Sequence, residues 1–134
     1  MIDVNNKTRS RIDLVLVKKI VEEFLSHNKK KNKEVSVVFV GDKKIRYLNK
    51  VYRKIDKITD VLSFEGSNNF FGEIIIDYSQ IKRQKKFSGS VKKELIFILI
   101  HGLLHLLGYN DETGGDAEKM EKLGEEFIKK LKIK

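Results

Sequence analysis

The sequence predicts a small α+β domain, and three observations lead there. Apolar residues recur every three or four positions in three separate stretches, near 10–28, 90–107 and 113–131, which is the spacing of helices with one buried face. Between the first two stand β-branched and aromatic runs, VSVVFV at 35–40, TDVLSF at 59–64 and FFGEIIIDY at 70–78, which read as strands. No repeat or low-complexity linker divides the chain, so residues 1–134 are read as one domain, a length that can bury its own core.

Each element follows from its residues. Ser10 to Asn28 reads as an amphipathic helix with Ile12, Val15, Leu16, Ile20, Val21, Phe24 and Leu25 inward, closed by the polar run at Lys29–Lys33. Val35–Val40 is nearly continuous in apolar residues and reads as a buried strand. Asp42 is a candidate cap for a helix reaching Arg53, with Ile45, Leu48 and Tyr52 inward. The runs at 59–64 and 70–78 can pair as a hairpin through the turn-rich Glu65–Asn69 connection. Ser79–Phe87 is a short basic helix or loop. Ser90 is placed to cap an apolar helix that ends at Leu107, with Gly108 where a helix-terminating glycine belongs. Thr113 followed by Asp116 resembles a capping box for a last helix whose stripe is Met120, Leu123, Phe127, Ile128 and Leu131. The predicted order is α, β, α, β, β, short α, α, α, which leaves the strand order open.

Composition narrows the function. There is no Cys, which excludes disulfides, thiolate nucleophiles and thiolate-held metals. The longest apolar stretch, Leu95–Leu107, has 13 residues and contains two His, short of the roughly 18–20 that a spanning helix needs. The N-terminal segment is polar and lacks a signal-like apolar core, so a cytoplasmic protein without membrane attachment is expected. The net charge of +9 favours a polyanionic partner.

The chemistry concentrates in His101-Gly-Leu-Leu-His105-Leu-Leu-Gly108-Tyr-Asn-Asp111. Two His four residues apart lie about 40° from each other around a helix, one turn apart on one face. Imidazoles so placed can share a metal ion, and burying both without partners would cost several kcal/mol. Gly108 lets the chain reverse, and Asp111 can return as a third ligand, with Glu112 the alternative. Two nitrogens and one oxygen leave a fourth position for water, the arrangement of a catalytic zinc site. Zinc peptidases with a similar His pair carry Glu directly after the first His; here that position is Gly102, which argues against a peptidase.

The segment from His101 to Tyr109 resembles the signature of the YbeY family of metal-dependent endoribonucleases, H-G-x-L-H-L-x-G-Y-D-H, and departs from it at Asn110 and Asp111. Leu48-Asn49 with Tyr52-Arg53, then Thr59–Phe64, is similar to the family block L-N-x-x-Y-R followed by T-D-V-L-S-F, and Gly72-Glu73-Ile74 to its G-[DE]-I strand. The resemblance spans about Leu48 to Met120. It implies a mixed, mostly four-stranded sheet packed with several helices, one of them carrying the metal. It implies one Zn2+ held by His101 and His105, with Asp111 in the third-ligand place, and a functional Arg53. It further implies single-stranded RNA cleavage, 16S rRNA 3′-end maturation and ribosome quality control, with rRNA, ribosomal particles, a ribosomal protein and a ribosome-assembly GTPase as partners. A non-catalytic RNA-binding assembly factor with a structural metal site is the alternative.

Several surrounding residues invite roles. Glu94, seven residues before His101, either orients a ligand imidazole or favours the helix dipole. Asp60 either caps a turn or supports the site. Lys82, Arg83, Lys85, Lys86, Lys92 and Lys93 form a basic approach that can track an RNA backbone, with Phe87 an anchor or a base-stacking ring. The Lys29–Lys33 run and Lys129, Lys130, Lys132 and Lys134 read as solvated ends, and His27 as a surface residue. Asp111–Glu126 holds seven acids against two Lys, so RNA is not expected along the last helix.

Overall fold

A computed structural model describes residues 1–84 and 89–131. Its order is β1 (Ile2–Asn6), α1 (Leu14–His27), β2 (Glu34–Val40), α2 (Asp42–Arg53), β3 (Val61–Glu65), β4 (Phe70–Asp77), α3 (Tyr78–Gln84), α4 (Val91–Leu106) and α5 (Gly114–Lys130). The strands form one mixed sheet in the order β1-β2-β4-β3. β1 and β4 run parallel to β2, and β3 pairs antiparallel with β4, as the hairpin reading required.

Strand alternation sorts the apolar residues onto two faces. Val35, Val37 and Phe39 of β2, with Ile74 and Ile76 of β4, join Ile20 and Phe24 of α1, Leu99 and Leu103 of α4, and Met120 and Phe127 of α5 in the main core. Val40, Leu62 and Ile75 turn the other way and meet Ile45 of α2 in a smaller cluster. The sheet is therefore thickly covered on one face by α1 and α4, and on the other by α2.

Five expectations need correction. The first strand, β1, is absent from the sequence reading: IDVNN has two apolar residues, Ile2 and Val4, and its extended form comes from pairing Ile2 with Val35 and Val4 with Val37. α1 starts at Leu14, not Ser10. Asp13 caps it by accepting from the Leu16 N–H at 3.0 Å, while Asn6, Thr8 and Ser10 are tied in a turn, the Asn6 amide donating to the Ser10 carbonyl at 2.8 Å. Val15 then falls opposite the buried stripe and is 70% exposed. In α2 the cap position is Gly41, and Asp42 is the first helical residue, its carboxylate gripped by Arg83 at 2.7 and 3.0 Å. Tyr52 is 63% exposed instead of inward; its ring meets Phe64 of the edge strand edge-on at 5.3 Å.

The remaining caps hold. Ser90 accepts from the Lys93 N–H, and Thr113 from the Asp116 N–H at 3.1 Å. Lys85, Lys86, Phe87, Lys132 and Lys134 lie outside the described residues.

Candidate metal centre

α4 supplies the two imidazoles. The helix buries Leu95, Leu99 and Leu103 on the main core and leaves His101 and His105 half-buried along one edge. Its approach to the sheet is close at Gly102, where a Cβ would stand 3.2 Å from both Ile74 Cγ2 and Ser63 Oγ. The Ser63 hydroxyl donates to the Gly102 carbonyl at 3.1 Å, pinning the helix to β3 directly after His101. Position 102 thus faces the sheet, and a side chain there would press on β3 and β4.

The chain reverses as the glycine predicted. Gly108 has φ +105°, a conformation open to glycine at little cost. Its N–H donates to the His105 carbonyl at 3.0 Å, and the Tyr109 N–H to the Leu104 carbonyl at 3.2 Å. This turn delivers Asp111 Oδ2 to 3.4 Å from His101 Nε2. The two Nε2 atoms are 3.2 Å apart, and the three donors lie within 4.8 Å of one another. A tetrahedral ion about 2.0–2.1 Å from two ligand atoms would hold them ~3.3 Å apart. The His101–His105 and His101–Asp111 separations are close to that value, and the three groups together could hold a metal ion. Glu112 is not in the group; its backbone N–H is turned to the Asn110 side chain at 3.2 Å.

Electrostatics agree. Burial, reinforced by the neighbouring His101, holds the His105 imidazole below its ordinary pKa, so it is neutral near pH 7. The neutral ring is the ligating form. Phe97 lies nearly parallel to His101, with ring centres 6.2 Å apart and planes 23° apart.

Arg53 reaches the same cavity, of about 340 Å³, from the last turn of α2. Its Nη2 donates to the Ser63 carbonyl at 3.2 Å. Ser63 therefore touches both halves of the site: its hydroxyl holds α4 and its carbonyl orients Arg53. Asp60 lines the cavity too, and its carboxylate accepts from the Gln84 amide at 2.8 Å. The same Gln84 nitrogen donates to the fully buried Glu94 at 3.2 Å. Gln84 and Phe97 were missed in the sequence, where neither carries a ligand-like spacing, and Ser63 was visible only as part of the TDVLSF block.

The other cations are dispersed. Arg83 is committed to Asp42, Lys82 lies over the Tyr78 ring at 5.4 Å, and Lys92 and Lys93 are exposed. Lys33 bonds the Asn68 carbonyl. His27 is at the surface, edge-on to Phe127. Among the described residues, no helix is long and apolar enough to cross a membrane.

Comparison with known proteins bears on this geometry. The family profile described as Endoribonuclease YbeY matches residues 3–132. A protein of Acholeplasma laidlawii named Endoribonuclease YbeY is 36% identical over 119 residues, covering 86% of this chain and 87% of its own. One of the same name from Aliarcobacter butzleri is 37% identical over 142 residues, covering 99% and 94%. The solution structure of TM1509 from Thermotoga maritima is similar with a TM-score of 0.60 and 29% identity, over 94% of this chain and 88% of that one. With the family profile matching residues 3–132 and these relatives more than 30% identical over most of its length, the chain belongs to the YbeY family of endoribonucleases.

Proposed function

We propose that the protein is a zinc-dependent endoribonuclease that cleaves single-stranded RNA, acting in 16S rRNA 3′-end maturation and ribosome quality control. The observation that carries the reading is the convergence of His101, His105 and Asp111 with Arg53 on one cavity. RNA is the substrate that the family name implies. Ribosomal particles, a ribosomal protein and a ribosome-assembly GTPase are the proposed partners, in the cytoplasm.

His101, His105 and Asp111 would hold the ion, whose bound form supplies Lewis acidity toward phosphoryl oxygens. Arg53 has five N–H donors, one of which is spent on the Ser63 carbonyl. That bond aims the rest of the guanidinium at the cavity, where it binds a phosphate and offsets charge growing on it in the transition state. His105, kept neutral by burial, adds no competing positive charge, and Asp111 tempers the field with one negative charge.

Metal analysis and RNA cleavage test the reading together. The wild type is expected to hold one zinc per chain and to cut single-stranded RNA. His105→Ala is expected to lose both metal and cleavage. Arg53→Ala is expected to keep the metal and lose roughly 100-fold or more in kcat, the scale for removing a charge-stabilising donor. A metal-free wild type, or cleavage untouched by either change, would refute it.

A further inference from the structure

We propose that the outer face of α2 is the track along which single-stranded RNA reaches the metal cavity, with Lys43 and Lys50 holding phosphates and Tyr47 stacking a base. The proposal rests on the endoribonuclease reading and adds where the substrate lies.

The first observation is exposure. Eight large apolar or aromatic side chains are exposed among the described residues, and five of them, Tyr47, Val51, Tyr52, Ile55 and Ile58, fall within twelve positions. Tyr47 and Tyr52 are 59% and 63% exposed. The second is charge. Residues 42–58 carry seven Lys or Arg against two Asp. Both acids are already engaged within the protein, Asp42 by Arg83 and Asp56 by Arg46 at 2.8 Å. What faces solvent is therefore strongly cationic, which favours a polyanion over an apolar protein surface.

The third observation is alignment. Lys43, Arg46, Lys50 and Arg53 recur at intervals of three, four and three, which places them in one stripe along the helix. The stripe is ~15 Å long and ends at Arg53, which lines the metal cavity. Tyr47 lies in the adjoining stripe, one residue after Arg46 and four after Lys43. Cations beside exposed aromatic faces are what unpaired RNA requires, since phosphates take the charge and every base has a face to stack. In the other basic stretch, Arg83 is bound to Asp42 and Lys82 lies over the Tyr78 ring.

Binding of a short fluorescein-labelled single-stranded RNA, measured across a salt series, tests this. The double variant Lys43→Glu with Lys50→Glu is expected to bind at least tenfold more weakly and to lower the salt slope by about 1.4, or about 0.7 for each lost phosphate contact. Tyr47→Ala is expected to weaken binding roughly fivefold or more with the slope unchanged. A control with the same charge change on α1, Lys18→Glu with Lys19→Glu, is expected to keep the wild-type slope. Wild-type affinity in the α2 variants would overturn the proposal and leave this face to a protein partner; an equal loss in the α1 control would overturn it in favour of net charge alone. Failure of the underlying reading is separate, because the wild type itself would then cleave no RNA.

Discussion

Two helices flank the edge strand β3 and meet at one cavity, yet they are built in opposite ways. α4 buries nine residues, Leu95, Leu99 and Leu103 among them, and is pinned to the sheet at Gly102. α2 buries two, Ile45 and Asn49, and turns Tyr47, Tyr52 and a row of cations to solvent. The difference matches the roles proposed for the two helices. Metal ligands have to be held to a few tenths of an ångström, which needs a close-packed helix. A helix that receives a long flexible substrate needs exposed, chemically varied side chains.

The contrast can be tested from either side. The largest effect is expected at the ligands: Asp111→Ala should strip most of the zinc, while Asp111→His should retain it, as read by metal content after dialysis. Full occupancy in the alanine variant would assign the third position to another group. Next comes packing on the rigid side. Leu103→Ala, in a fully buried position, should cost about 2–5 kcal/mol in a denaturant melt. Gly102→Ala should cost about 1–3 kcal/mol, because its methyl would press on Ile74 and Ser63. If Tyr47→Ala on α2 destabilises as much as either, the division between the two helices is wrong. Arg53→Lys sits between the regions; it keeps the charge and loses the fork, so kcat should fall by roughly tenfold or more with thermal stability unchanged.

A separate, pH-dependent effect concerns how α2 is tied to α3. Asp77 is fully buried, its Oδ1 capping α3 through the Ser79 and Gln80 N–H groups, and its Oδ2 faces no donor. Burial and the neighbouring Asp42 carboxylate push its pKa up to about 7, while Arg83 holds Asp42 down at about 2. Asp77 therefore binds its proton more tightly when folded. The stability it contributes is complete below about pH 4 and is lost as pH rises toward 7. Asp42 works in the opposite sense, its contribution being lost as pH falls from about 4 toward 2. Asp77→Asn should therefore gain stability relative to wild type between about pH 4 and pH 7 in urea melts, and parallel profiles would rule this out.

Much of this was legible in the residues. The helical stripes, the 59–64 and 70–78 hairpin, both caps at Ser90 and Thr113 and the His pair all follow from local spacing, and local spacing survives folding. β1 was not legible, because a strand with two apolar residues takes its conformation from its neighbour. Tyr52 was misplaced because helical periodicity says which face a residue is on, not where the supporting sheet stops. Gln84 was invisible for a related reason: its amide matters only because folding brings Asp60 and Glu94 to it.

The sequence by itself determined the donors. With no Cys, a zinc-like ion here has to be held by nitrogen and oxygen, and the four-residue spacing with Gly108 places two imidazoles and a reversing chain together. Tertiary structure alone decided that Asp111 and not Glu112 joins them, and that Arg53, forty-eight positions before His101, enters the same cavity. The physical reason is Ser63: one edge-strand residue bonds α4 with its side chain and Arg53 with its backbone, and only the assembled sheet brings these three elements within hydrogen-bond reach.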